Sequence, residues 1–452
     1  MLNKFLSSVL FVCLLTLMQS VLGQNQNDLD KNKLLELHKL VIPLHQNNDY
    51  QALITQSQKA QIVLIGDASH GTHEFYQQRI QLSKQLIKTH KFKLIAIEAN
   101  WPDTYILNQY IHSQISLSQL KAINPFKHYP VWLWKNQEMS DFLHWLRIYN
   151  TDLPEGERKI NLYGIDLYSY HSSIKWVIDY FSMFYPSMSE FIITKYQCLL
   201  SYQEPGEYGN ALANKKHPSC EQASAEPYSI FLNCQIPCLN FSSTYQQEAF
   251  FHAKQQAFIV KNNERYYHSI YTSDNSSASW NIRDQYMFDT LLTIRQYLNY
   301  PKTIVWAHVS HLGDARATSM AEFKQLNVGQ LLRQHFKQQL FSIGMLTYKG
   351  NVIASDGWGK TAKNKILLEA NKESYESLFH QLNISNFILL LKQLPDKLRI
   401  WLNEDRLQRH VGVVYIPENE IEYHYIGSQL IDQFDAIMYF DITTELQIKN
   451  NF

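Results

Sequence analysis

A chain of 452 residues with 45% hydrophobic content can bury a large core as one domain or a few, and needs no metal or disulfide staple to fold. Its 41 Lys plus Arg balance 41 Asp plus Glu, which excludes nucleic acid or an anionic membrane surface as a partner recruited by net charge. Aromatic residues make up 13%, with 28 Tyr and 9 Trp, a content that suits a cleft for a bulky, partly apolar, hydroxylated ligand, although most of these rings are expected in the core.

Residues 1–23 read as a leader. Lys4 supplies the positive end, Phe5 to Met18 the apolar stretch, and Val21-Leu22-Gly23 a small residue before cleavage at Gln24. The apolar stretch is shorter than the ~20 residues that span a bilayer, so export to the periplasm or medium is expected rather than a stable membrane anchor. Removing Cys13 with the leader leaves Cys198, Cys220, Cys234 and Cys238. In an exported protein an even set reads as two disulfides, with three pairings open. Zinc is the competing reading, and the set lacks paired Cys-x-x-Cys knuckles.

Residues 24–60 form a helical lead-in on the spacing of Leu34, Leu35, Leu37, Leu40 and Val41. A strand at 61–66 then reaches Asp67, with His70 just beyond, and a helix runs from about Thr72 to His90. Arg79 falls inside the apolar stripe of that helix, between Phe75 and Leu82, so it must meet an acid or open onto a polar cleft. A strand at 93–98 ends in Glu98, and a helix begins near Trp101. Trp132, Trp134 and Trp145 follow on a loop and helix, where Trp132 and Trp134 are candidates for walling a substrate cleft. A strand at 160–165 ends in Asp166, a further candidate for substrate binding, and a helix passes through Ser173 and Val177. Residues 186–285 interrupt the alternation with helical, Cys-bearing sequence that reads as an insertion. A strand at 303–307 ends in His308, with His311 one turn on. The segment from Ala307 to Gly313 echoes the segment from Gly66 to Gly71, which suggests two related halves facing one cleft. Beyond residue 337 a strand pair, then strands near 411–415 and 435–440, complete the sheet.

Apolar runs of this kind, separated by helices, are the signature of buried parallel strands. The fold class is therefore α/β, a largely parallel sheet with flanking helices, spanning residues 24–452 as one domain. Such sheets bind ligands outside the carboxyl ends of their strands, where Asp67, His70, Glu98, Asp166 and His308 converge. A histidine beside a carboxylate is suited to general-base catalysis near neutral pH. No Gly-x-Ser-x-Gly elbow offers a nucleophile, which favours direct attack by water activated at His70, with Asp67 and Glu98 in support. Arg79, His308 and His311 are candidates for holding the carbonyl oxygen. A hydrolytic metal bound by His70, Asp67, Glu98 and His308 is the rival, without a His-Glu-x-x-His helix to support it. Gly-rich phosphate loops are absent, and no cofactor is expected.

The segments IGDASHGTHEFYQQR, AIEANWPD, PVWLWKNQEMSDFLHWLR, LYGIDLYS, SWNIRDQYM, VWAHVSHLGDARATSM and FDAIMYFDITTEL, in this order over residues 35–448, resemble the erythromycin esterase family. Members of that family open macrolide lactones by hydrolysis and so confer antibiotic resistance. The resemblance implies an α/β fold with a helical elaboration and a metal-independent mechanism in which a histidine activates water. His70 matches the family's catalytic histidine, Asp67 and Glu98 its acids, Arg79 its arginine, and His308 with His311 its second histidine cluster. Asp67 stands where the macrolide esterases usually carry Glu, one methylene longer, and an exported, disulfide-bearing chain differs from a cytoplasmic resistance enzyme. The family also includes proteins resembling succinoglycan-biosynthesis factors. Beside a hydrolase of a small-molecule ester or lactone, an exported transferase or a non-catalytic binding protein for envelope polysaccharide remains open.

Overall fold

The computed structural model describes residues 30–44, 50–236, 241–274, 276–449 and 452. Residues 1–23, read above as a leader, therefore lie outside the described residues. No helix among the described residues is long and apolar enough to cross a membrane.

Eleven strands are resolved among these residues: β1 (Ile42–Pro43), β2 (Ile62–Asp67), β3 (Leu94–Asn100), β4 (Asn161–Asp166), β5 (Thr303–His308), β6 (Leu340–Ala354), β7 (Lys363–Leu367), β8 (Asn386–Leu390), β9 (Arg406–Arg409), β10 (Tyr425–Ser428) and β11 (Ala436–Thr443). Nine form the central sheet in the order β1-β8-β11-β6-β2-β5-β3-β4, with β7 paired to β6. The run from β11 to β4 is parallel throughout, and antiparallel pairing is confined to β1, β7 and β8. The strand expected near 435–440 is β11, and the four strands read from sequence as ending in an acid or a histidine are the consecutive strands β2, β5, β3 and β4. Each is apolar along its length because both faces are covered. Val63 and Ile65 enter one core layer with Phe75 and Leu86, whereas Ile62 and Leu64 enter the other with Leu291 and Ile294, the two-residue alternation of a strand.

The lead-in is helical only in part, as residues 30–38 and Gln51–Gln56 flank the short β1. Leu37 is buried, but Leu35 and Leu40 are exposed. The expected strand pair after residue 337 is instead the single strand β6, which runs on because β11 pairs with it as far as Gly350 and β7 from Gly350 onward. Residues 411–415 are not a strand of the sheet. They strap across the strand ends, with Val411 bridging Ser69 and Val414 bridging Ser355.

Five helices occupy 186–297: Pro186–Leu200, Pro205–Ala213, Glu221–Leu232, Thr244–Thr272 and Ser276–Tyr297. With helix Tyr170–Phe184 the first four build a separate apolar cluster around Phe181, Tyr196 and Val260. The last returns to the sheet through Met287, Leu291 and Ile294. Cys198 and Cys220 are joined, at a Cα–Cα distance of 5.9 Å, so their sulfurs are not available as zinc thiolates. Cys234 is also disulfide-bonded, and Cys238 lies outside the described residues.

Gly71, in the loop that carries His70, receives Ile353 N–H and Leu446 N–H on its carbonyl. A Cβ there would lie 1.9 Å from the Ile353 carbonyl oxygen. Backbone cannot yield as a side-chain tip can, so Gly71→Ala is expected to lower unfolding free energy by ~1–3 kcal/mol and to displace His70. Denaturant titration paired with activity measures both, and a parent-like midpoint would refute the close packing.

Candidate active site

β2 and β5 are neighbours in register, with Asp67 opposite His308, so the two echoing segments lie side by side at the same end of one sheet. β3 sits beyond β5, and its pairing with β4 shifts register between Ile97 and Asn100. This irregularity spans Glu98, and bulges of this kind re-aim side chains at strand ends. Gly164 on β4 makes room for it, since a Cβ there would lie 2.2 Å from the Ala99 carbonyl oxygen.

His70 stands between two acids, with Nδ1 3.3 Å from Asp67 Oδ2 and Nε2 3.9 Å from Glu98 Oε2. Its backbone N–H donates to Val411 O at 3.1 Å, so the 410–413 strap holds the loop. Asp67 is fully buried. Burial alone would raise its pKa, but Arg79 and then His70 outweigh this and hold the carboxyl at about 2. It is therefore an anion that fixes the imidazole.

Arg79 donates from Nη2 to Asp67 Oδ1 at 2.5 Å and to Ala307 O at 2.8 Å. It lies beneath Asp67 and outside the cavity wall, not facing the space expected to hold a substrate's carbonyl oxygen. The core-facing position found its acid in the strand end below the cleft.

Glu98 is 6% exposed and fully engaged. Oε2 accepts the His308 backbone N–H at 2.9 Å, while Oε1 accepts Arg283 Nη2 at 2.7 Å and lies 3.4 Å from His311 Nε2. Burial opposes its charge, but His311, His70 and Arg283 outweigh burial and bring its pKa well below the usual carboxylate range.

The two other histidines are partnered on both ring nitrogens. His308 Nδ1 is 2.8 Å from Ser310 Oγ and accepts the Ser310 N–H at 3.2 Å, and Nε2 is 3.3 Å from Ala68 O. Burial, then His70, lowers its pKa to about 3, so it is neutral. His311 Nδ1 lies 2.9 Å from Asp284 Oδ1 and Nε2 accepts from Arg283 Nη1 at 3.0 Å, while the Trp280 ring stacks on it at 4.6 Å. Burial would lower the His311 pKa, but Asp284 and Glu98 raise it. Burial raises Asp284 against the pull of His311. Because Nε2 accepts from Arg283, the proton of this pair lies on the Nδ1 side, between His311 and Asp284. Neither His308 nor His311 has a free nitrogen for a carbonyl oxygen.

Arg283, Asp284 and Trp280 were not singled out from sequence, although they sit in the SWNIRDQYM segment. Their i, i+3, i+4 spacing puts them on one helix face, which was the available signal. Arg283 also donates Nε to Asp166 Oδ1 at 3.0 Å and Nη2 to Oδ2 at 2.7 Å. Asp166 thus lines the cavity as the anchor of Arg283, with both oxygens engaged. His410 is a further residue missed, edge-on to His308 with ring centroids 5.4 Å apart.

These groups floor a cavity of about 400 Å³. Trp134 belongs to its wall and donates its indole N–H to Glu98 O at 3.2 Å. Trp132 does not; it packs into the core as part of the short turn Val131–Trp134. At the mouth Trp358 meets Tyr129 and Tyr168, with centroids 5.1 and 5.8 Å away. Truncating a buried pair on one side leaves an uncompensated charge, so Arg79→Met is expected to destabilise by ~3–5 kcal/mol. Chemical denaturation measures this, and a loss below ~1 kcal/mol would show that Arg79 does not support Asp67.

Comparison with known proteins bears on this geometry. A family model described as Erythromycin esterase matches residues 87–443, a span that includes Glu98, Arg283, His308 and His311 and begins after His70. The chain is 22% identical over 377 residues to an erythromycin esterase type II from Escherichia coli, covering 80% of the chain and 88% of that protein. It is 22% identical over 436 residues to a putative hydrolase, YbfO, of Bacillus subtilis (strain 168), covering 89% and 88%. Among solved structures, a Bacillus cereus protein superposes with a TM-score of 0.78 at 20% identity, covering 93% of this chain and 99% of that one. A succinoglycan biosynthesis protein gives a TM-score of 0.75 at 20% identity with the same coverage. A mutant of the erythromycin esterase EreC in its open conformation gives 0.64 at 15% identity, covering 89% and 95%. With the family model spanning most of its length, the chain belongs to the erythromycin esterase family.

Proposed function

We propose that this protein hydrolyses a carboxylic ester or lactone by attack of water that His70 deprotonates. Family membership supports a hydrolase of a small molecule. The observation that carries the mechanism is the placement of His70 on the cavity floor, with an ionised Asp67 at Nδ1 and Glu98 beside Nε2.

Asp67 orients the ring so that Nε2 accepts a proton from water, and stabilises the imidazolium that forms. The water oxygen adds to the carbonyl carbon, and the carbonyl pair moves onto oxygen to give a tetrahedral oxyanion. Collapse reforms the carbonyl and expels the alkoxide, which takes the proton from His70. Glu98 borders the place of that water, its Oε2 3.9 Å from Nε2. No step needs a nucleophilic side chain or a metal ion. A macrolide lactone is the first substrate class to try, given the E. coli relatives, with simple acyl esters beside it. The Cys198–Cys220 bond fits an oxidising compartment, which supports export.

His70→Asn is expected to lower kcat by ~10²- to 10⁴-fold while circular dichroism and the melting temperature stay close to the parent's. Turnover within a few-fold of the parent on the same ester would overturn the assignment. Dialysis against a strong chelator should leave activity intact. Loss restored by added zinc would instead assign the cluster to a metal.

A further inference from the structure

Ester hydrolysis needs a donor for the carbonyl oxygen as well as a base, because negative charge accumulates there in the transition state. The three groups expected from sequence are accounted for otherwise. Arg79 lies outside the cavity wall and serves Asp67 and Ala307 O. His308 and His311 have both ring nitrogens engaged. Arg283 differs from all three. It belongs to the cavity wall, and a guanidinium carries five N–H groups in a fixed fork. Nε donates to Asp166, both N–H groups of Nη2 go to Asp166 and Glu98, and one N–H of Nη1 goes to His311 Nε2. The second N–H of Nη1 has no partner among the described residues. Base and cation also border the same carboxylate: Glu98 Oε2 is 3.9 Å from His70 Nε2, and Oε1 is 2.7 Å from Arg283 Nη2. Both also line one cavity, so a substrate held there meets His70 and Arg283 together.

Resting on the hydrolase reading above, we propose that the remaining Nη1 N–H of Arg283 binds the carbonyl oxygen of the substrate and stabilises the oxyanion, making Arg283 a catalytic residue. As water oxygen bonds to the carbonyl carbon and its proton passes to His70, the carbonyl π pair becomes a lone pair on the oxygen facing Arg283. When the carbonyl reforms, that pair returns to the C–O bond and the alkoxide leaves with the proton from His70. Arg283 gives up no proton and gains no bond; it holds charge. Asp166, which grips Nε and Nη2, fixes the fork so that no reorientation is needed during the reaction, and Tyr168 covers one guanidinium face at 4.9 Å. The helix that carries Arg283 thus supplies the electrophilic half of the site, and the β2 loop supplies the base.

The test uses the full chain, the ester that it hydrolyses fastest, and the methylphosphonate anion as a mimic of the charged oxygen. Arg283→Lys keeps a cation beside Glu98 and Asp166 and loses the fork. It is expected to lower kcat by ~10²- to 10³-fold with KM little changed, and to weaken methylphosphonate binding in parallel. Arg283→Ala should regain part of its kcat on addition of guanidinium ion at concentrations far below denaturing. Parent-like kcat in Arg283→Lys, or lost kcat with unchanged methylphosphonate affinity, would overturn the proposal. If the parent cleaves no ester, the hydrolase reading falls by itself. Calorimetric titration of methylphosphonate into parent and Arg283→Lys then still decides the anion site, equal affinities overturning it.

Discussion

The Glu98 carboxylate is the interaction on which the site depends. It is buried at the end of β3, and an ionised carboxylate in that position is tolerable only if its lone pairs are met by charge and by N–H donors. Those partners come from the β5 terminus through the His308 N–H and from helix Ser276–Tyr297 through Arg283, and the β2 loop sets His70 beside the same carboxylate. Each element is therefore located relative to one anion. Moving any of them would leave part of that charge without compensation, so the same contact that assembles the chemistry also fixes the mutual position of sheet and helix.

Around this anion, acidic and basic side chains alternate. Arg79 sits under Asp67, Asp67 beside His70, His70 beside Glu98, Glu98 beside Arg283, and Arg283 against Asp166. The alternation lets several charges share a poorly solvated region without large net repulsion. It also divides labour. Asp67 is kept ionised by Arg79 and stands as a fixed anion beside His70. His308, neutral and tied to Ala68 O and Ser310, is a spacer between the acids. His70 remains as the imidazole on the cavity floor with Nε2 facing an acid across an open gap.

Backbone features make this arrangement reachable. The register shift in β3 re-aims Glu98, Gly164 admits the displaced Ala99 carbonyl, and the 410–413 strap ties the His70 loop by the His70 N–H to Val411 O bond and the Val411 N–H to Ala68 O bond. The strap comes from far along the chain, so the position of His70 is set by late sequence as well as by β2.

The strands and the acids and histidines at their ends were legible in the sequence, because burial on both faces demands unbroken apolar runs and a polar residue ending such a run marks the rim. β2, β3, β4 and β5 were found in this way, and with them Asp67, His70, Glu98, Asp166 and His308. The seven matching segments made the family legible as well. Strand order, the direction in which each rim side chain points, and the partner each one takes were decided only by tertiary structure. Arg79 looked from its helical position like a cleft residue, yet the register that sets Asp67 beside His308 gave it a partner below the floor. Trp132 and Trp134 are two residues apart in one turn, and packing buried both but brought only Trp134 to the cavity wall. Arg283 lies in a helix whose sequence shows no strand-end signal, and only its return to the sheet across the Asp166 terminus brings it to Glu98. Sequence specifies which groups are costly to bury alone, whereas long-range packing determines which of them are buried together.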